Sequence, residues 1–383
     1  MQLRQLRHLA TGILLATAIG ACSKDSTSSS STTIKDPQAT IGAMNAVDSV
    51  FTSKQIQSVI TIASNLPSFA IAPSLGPIVA AALPRPVRSL TPWQMRQGVD
   101  ARRLRTALPE YIRLGNSGVT AVIPDSLKGK TFEWNTDSLD YEVTTRTGAP
   151  AGGVRFILYA IDSTTSQPAI PLVESATLDV LDESDATTTK IHLIVKGISG
   201  TPTFFDYTFA LAYTQTSSSI SASGFVTDET GHRLDFDNTM SDTYDAQTQG
   251  GTFAWDFAYR LNDPQVSAEF SYTETYTATT YTDQYSFSFT QSNETLSLAA
   301  TITGDNQGNY SGTYTIKVNG NLYATVESNQ SGYTFKDRNG NAVTDPSSGE
   351  YQVLQRLGLF LSELDVYSLE LLSPAEALLG YYF

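Results

Sequence analysis

Apolar residues recur along the chain with different periods, and each period predicts a different element. Between residues 37 and 66, Ile41, Met44, Val47, Val50, Phe51, Ile56, Val59, Ile60 and Ile62 return mostly at steps of three and four, with few breakers before Pro67. That spacing predicts a helix with one apolar face. From Val119 to about Val343 the period shortens to two. Runs such as "TFEWN", "VRFILYAID", "IHLIVKG", "FDYTFALAYT", "TFAWDFAYRL", "VSAEFSYTETY" and "LYATVES" alternate apolar and polar residues between turn residues, which predicts strands. No long helical pattern intervenes, so the sheet is expected to be antiparallel. In "TYTIKVNGNLYATV", Asn319-Gly320 supplies the two positive φ angles of a tight hairpin turn. The helical period then returns in "EYQVLQRLGLFLSELDVYSLELLSPAEALLG", with Val353, Leu354, Leu357, Phe360, Leu361 and Leu364 on one face that needs a surface to cover it. The expected fold is mainly β: a large antiparallel sheet, either a sandwich or a curved, half-open barrel. An N-terminal helical region precedes it and a C-terminal amphipathic helix closes it.

The N-terminus follows none of these patterns. "MQLRQLRHLATGILLATAIGAC" joins a basic start (Arg4, Arg7) to a short apolar run and small residues before Cys22, the layout of a secretory signal too short to span a membrane permanently. Ile19-Gly20-Ala21-Cys22 resembles the lipobox of bacterial lipoproteins. The resemblance implies cleavage before Cys22 and acylation of its thiol and new amine, hence an extracytoplasmic membrane anchor. Cys22 is the single cysteine, which suits this reading; the alternative is an ordinary secretion signal with an incidental Cys. Ser23, where an Asp would retain a lipoprotein at the inner membrane in many enteric bacteria, favours the outer membrane. The expected divisions are a signal at residues 1–21, the acylated Cys and a Ser/Thr-rich flexible tether at 22–36, a helical and Pro-rich region at 37–115, the β domain at 116–349 and the C-terminal helix at 350–383.

Pro67, Pro73, Pro77, Pro84, Pro86 and Pro92 forbid a spanning helix in the apolar stretch that contains them. Seven arginines, from Arg85 to Arg113, follow with little local opposition. They suit either anionic headgroups near the tether or a solvated helix face paired with the acidic body. The whole chain carries a formal charge of −14, which argues against nucleic acid as a partner. A short echo, "GKTFEW" against "GGTFAW", records either a duplicated β unit or coincidence.

Candidate chemistry is sparse. His192 sits in a strand pattern and His232 in a turn, neither beside a nucleophile elbow, so both read as structural. Zinc ligands are lacking, and no cofactor fingerprint occurs. "DRNGNAVTD" alternates Asp337, Asn339, Asn341 and Asp345 like a calcium loop, but its glycine falls fourth rather than sixth, which favours a hairpin turn; "GDNQGN" reads the same way. Paired carboxylates for a glycan hydrolase could come from Asp235, Asp237, Asp256, Glu269 and Glu274, with Asp235 and Asp237 on one strand face around Phe236 and Glu269 and Glu274 on opposite faces.

The feature that stands out is an aromatic row in "EFSYTETYTATTYTDQYSFSFTQS". Phe270, Tyr272 and Tyr276 share one side of a strand, and Tyr285, Phe287 and Phe289 share one side of the next. Three readings compete: a core face, the lining of a cavity for a lipid or other hydrophobic ligand, and the lipid-facing surface of a transmembrane barrel. The expected role is non-catalytic binding or scaffolding at the cell envelope. The partners would be the membrane through the acyl anchor and a hydrophobic ligand or an envelope protein. A carboxylate hydrolase and a purely structural surface lipoprotein are the alternatives.

Overall fold

The structure is a computed structural model. It describes residues 33–53 and 122–379, apart from positions 163, 164, 166, 201, 215, 246, 306, 308, 330 and 331. The signal, Cys22, the Pro-rich stretch, the arginine cluster and the second half of the first predicted helix lie outside these residues. The described part of that helix is α1 (Pro37–Phe51). Asp36 caps it by accepting the Ala39 N–H at 3.0 Å, and Pro37 occupies the first turn, where its missing N–H costs nothing. The predicted apolar face is the buried one, with Met44, Val47, Val50 and Phe51 almost wholly inaccessible.

The strands follow. A short N-terminal group comprises β1 (Thr131–Asn135), β2 (Asp140–Thr144), β3 (Gly153–Tyr159), β4 (Ile161–Asp162) and β5 (Gln167–Pro168). Next come β6 (Glu174–Asp182), β7 (Thr188–Gly197), β8 (Thr203–Tyr213), β9 (Ser217–Thr227), β10 (Arg233–Asp245) and β11 (Gly250–Leu261). The series ends with β12 (Val266–Tyr276), β13 (Thr280–Gln291), β14 (Glu294–Asp305), β15 (Tyr310–Val318), β16 (Asn321–Asn329) and β17 (Gly332–Asp337). The hairpin between β15 and β16 turns on Asn319 (φ 48°) and Gly320 (φ 83°), as the sequence predicts.

Fifteen strands form one sheet in the order β17-β16-β15-β14-β13-β12-β11-β10-β9-β8-β7-β6-β3-β1-β2. From β6 to β17 each strand pairs with the next in sequence, an uninterrupted antiparallel meander. The expectation of a wholly antiparallel sheet fails at one place: β1 runs parallel to β3, with Thr131 opposite Arg155 and Phe132 opposite Phe156. The strands β2 and β17 are edges and do not meet, so the sheet is open rather than a closed barrel. The sequence echo does not mark equivalent places. Trp134 lies on the short, partly parallel β1 against Tyr141, whereas Trp255 lies on the central β11 and donates its indole N–H to Asn238.

Alternation divides the sheet into an inner face, buried against helices, and an outer face of Ser, Thr and charged residues. The cover of the inner face includes α2 (Gly349–Leu379). Its predicted stripe from Val353 to Leu364 is buried to within 1 % of full inaccessibility. Phe360 meets the rings of Phe287 and Phe289 edge-on, with centroids 6.2 and 5.6 Å away. Burying each such large apolar side chain contributes roughly 1.5–3 kcal/mol, and contact between aromatic edges and faces adds to it. Helix α1 runs alongside in the same direction. Gln38 bonds Gln352, Asn45 accepts from Arg356, and Phe51 stacks on Tyr367 at 4.3 Å.

One buried polar cluster fixes where α2 crosses the sheet. Asn238 accepts the Trp255 indole N–H at 2.9 Å and donates to the Ser368 carbonyl at 3.2 Å. The Ser368 hydroxyl donates to Leu364 O within its own helix, which leaves it to accept from the Tyr259 hydroxyl at 3.0 Å. Replacing Asn238 with Ala orphans the buried Trp255 N–H. The expected loss is about 1–3 kcal/mol, read as a lower urea midpoint with an unchanged slope.

Candidate functional site

The aromatic row lies on the inner face of β12 and β13. Register places Phe270 opposite Phe287 and Tyr272 opposite Tyr285, as a shared sheet face requires. Phe270, Tyr272, Tyr285, Phe287 and Phe289 are only 1 to 7 % exposed. Their neighbours are other aromatic rings: Phe270 against Trp255 and Phe257, Tyr285 against Tyr314, and both phenylalanines of β13 against Phe360. Tyr276 is half-buried at the strand end, where its hydroxyl lies where a side chain on the cross-strand Gly251 would begin. Tyr281 covers Gly304 in the same manner. Only residues without a Cβ leave room for those rings.

Toward the same end the inner face turns polar. Asp242, Phe253, Glu274 and Asp283 occupy one row across β10 to β13, and Glu274 and Asp283 are directly opposed and fully inaccessible. The Tyr272 hydroxyl donates to Asp283 Oδ1 at 3.0 Å. Burial, then the neighbouring Tyr285, Asp283 and Glu274, hold the Tyr272 phenol far above the usual tyrosine range, so it stays protonated and remains a donor. Glu274 therefore faces away from Glu269, as strand alternation predicts. Asp242 and Asp283 escape a motif search; the available signal was that each carboxyl falls on the apolar side of its strand.

The remaining four candidate acids meet on the outer face. Asp235, Asp237, Asp256 and Glu269 line a groove of about 530 Å³ together with Arg260 and Ser271. Asp237, Ala258 and Glu269 form one row across three strands, and Asp256 stands one step along β11 on the same side. The small Ala258 opens the floor between the two acids. Asp237, Asp256 and Glu269 are exposed, while Asp235 is half-buried and paired with Arg233 at 2.6 Å. Paired-acid hydrolysis uses one carboxyl held protonated, usually by an apolar site, and three of these four acids are exposed.

The groove continues through Ser271 and Ser286 into a larger trough of about 920 Å³ over β12 to β16. One complete register row crosses it: Thr273, Gln284, Thr301, Thr313 and Glu327. The next runs through Ser271, Ser286, Ala299 and Thr315. Short side chains make the hollow, and their hydroxyls make it polar. They sit on paired strands rather than loops, so their positions are set before any partner arrives.

Other candidates resolve into local structure. His192 lies between Asp206 (2.7 Å) and Glu183 (3.3 Å) on the outer face, and His232 contacts Asp228 in its turn at 2.7 Å. Asp337 accepts the backbone N–H groups of Asn339 and Asn341 around Gly340, which has φ 85°, so "DRNGNAVTD" begins with a side-chain-capped turn. The Asn341 side-chain amide, which also donates to this carboxyl, and then these backbone bonds hold Asp337 below its ordinary range. Asp305 caps the "GDNQGN" turn in the same way. Among the described residues no group of three or more His, Cys, Asp or Glu side chains could hold a metal ion.

The chain matches no known family of proteins, no curated protein and no solved structure. Its site must be judged by its own geometry. For the inner polar row, Tyr272→Phe keeps the ring and deletes the bond to the Asp283 carboxyl. We expect a loss of about 1–3 kcal/mol in chemical unfolding, with the aromatic near-ultraviolet signal of the core retained.

Proposed function

We propose that this chain is a lipoprotein, acylated at Cys22 and held at an extracytoplasmic membrane surface, the outer membrane on the strength of Ser23. Its role is non-catalytic: the outer face of β10 to β16 is a rigid platform for a polar envelope partner. The observation that carries this reading is the division of labour between the two faces of the sheet. The inner face is filled by aromatic rings and α2, whereas the outer face holds a hydroxyl-lined trough that opens into an acidic groove. The same contrast supports reading the aromatic row as core rather than as the lining of a lipid cavity. Exposed Asp237, Asp256 and Glu269 suit contact with basic groups of a protein partner better than proton transfer.

Three measurements test it. The mature protein taken from membranes should begin at Cys22 and carry acyl groups by intact mass, which Cys22→Ala lacks; a parent without acyl groups would remove the anchor. A chain carrying Thr301→Arg and Thr313→Arg fills the trough with bulk and charge on exposed positions. Its melting temperature should stay within a few degrees of the parent, while its affinity for isolated envelope proteins falls roughly tenfold or more. Hydrolysis of envelope glycans that disappears in Asp237→Asn would replace the binding role with paired-acid chemistry.

A further inference from the structure

The two ends of the sheet differ at one flank: the turns 228–232, 262–265, 292–293 and 319–320 at one end are as polar as those at the other, and the difference lies in the connections of β1 to β8. At that other end lie the turns 183–187, 214–216, 277–279 and 305–309, whose sequences hold no Leu, Ile, Val, Met, Phe or Trp. The opposite end carries the β1–β2 turn, the long β3–β6 loop and the β7–β8 turn. Strand order places these three side by side. Their tips present Leu139, Ile170, Val173 and Ile198, which are 52, 75, 58 and 53 % exposed. Leu322, 39 % exposed, begins β16 at this same end, because the β15–β16 hairpin turns there. Five of the eight exposed large apolar side chains among the described residues therefore share one rim.

The long loop is built to hold its side chains outward. Ala160 donates to the Val173 carbonyl at 2.9 Å and Ala169 donates to the Ala160 carbonyl at 2.8 Å, so backbone bonds pin both arms. Leu172 packs inward against the core between the two exposed residues. A loop fixed in this way loses little further entropy when its tip is covered.

The described chain also begins at this end. The Lys35 N–H bonds Glu294 in the β13–β14 hairpin, and the β13–β14, β7–β8 and β3–β6 connections all lie on one side of the meander. Eleven peptide units separate Cys22 from Thr33, a length that reaches at most about 40 Å. The tether therefore joins the domain on the side of this rim, and the polar rim lies a further strand length, roughly 35 Å, from that attachment.

We infer that the rim formed by Leu139, Ile170, Val173 and Ile198 is a second membrane contact that inserts among the headgroups of the bilayer to which the chain is anchored. The inference rests on the anchoring read for Cys22 and adds an orientation: strands upright, apolar rim down, outer-face trough standing sideways to the membrane. Asp137, Asp228 and Asp263 lie in turns of this rim, so contact is apolar rather than driven by attraction to anionic lipid.

The test uses the full chain as Cys22→Ala, which removes acylation, in flotation with phosphatidylethanolamine–phosphatidylglycerol vesicles. The unacylated protein should float in part. The triple variant Leu139→Asp, Ile170→Asp, Ile198→Asp should lose that association by tenfold or more, while Tyr244→Asp at the opposite end changes nothing. All three substituted positions are exposed, so the fold should survive, and an unchanged melting temperature checks this. Absence of flotation overturns the inference, whether the rim serves a protein partner or nothing. Flotation unaffected by the rim variant, or lost equally in Tyr244→Asp, overturns it as well. The acylated parent is measured in parallel: if it too fails to partition with membranes, the anchor itself has failed, and the two results are told apart.

Discussion

A sheet with one apolar face cannot end its own exposure; something else must lie on it. Here twelve consecutive meander strands turn Leu, Ile, Val, Phe and Tyr to the same side, and pairing does nothing to shelter that side. Helix α2, with α1 beside it, gives the aromatic rings of β11 and β13 a surface to pack against. The bonds among Asn238, Trp255, Tyr259 and Ser368 then fix where the helix crosses. Apolar burial supplies the energy, and the buried polar bonds supply the position. A slip of one residue in any strand would send its aromatic side chains into water, so the same alternation also fixes register.

With the inner face committed to packing, the proposed role as a binding platform falls to the outer face. Strand register places side chains from distant parts of the chain in rows, and the rows of β10 to β16 combine small hydroxyl residues with acids at one flank. Such a surface is shallow and wet. On the proposed reading such a surface meets another polar surface, with complementarity and bridging water sharing the work.

Much of this was legible in the sequence where inner positions hold apolar or aromatic residues, as in β8, β11 and β12. The strand β10 was legible only around Phe236, because its inner series runs Leu234, Phe236, Asn238, Met240, Asp242, and two polar residues interrupt the signal. Those two have specific uses that no local window reveals: Asn238 bonds a residue 130 positions away in α2. The parallel β1–β3 pairing was equally invisible, since it depends on where a distant loop returns. The acids of the groove were each apparent as residues, and Glu269 was separable from Glu274 by alternation alone. Their gathering with Arg260 required the registers of β10, β11 and β12, which hydrophobic pattern does not encode at single-residue resolution.

The order of elements along the chain has one more consequence. The helix that covers the sheet follows every strand, so during synthesis the meander leaves the ribosome before its cover does. Until residues near Gly349 and beyond have emerged, the rings of β11 to β13 lack the surface they pack on, beside unpaired strand edges. That interval is when an unfinished chain is most apt to join another. The last thirty or so residues therefore act as an internal chaperone for those before them, and how fast they arrive governs how much of the protein escapes aggregation.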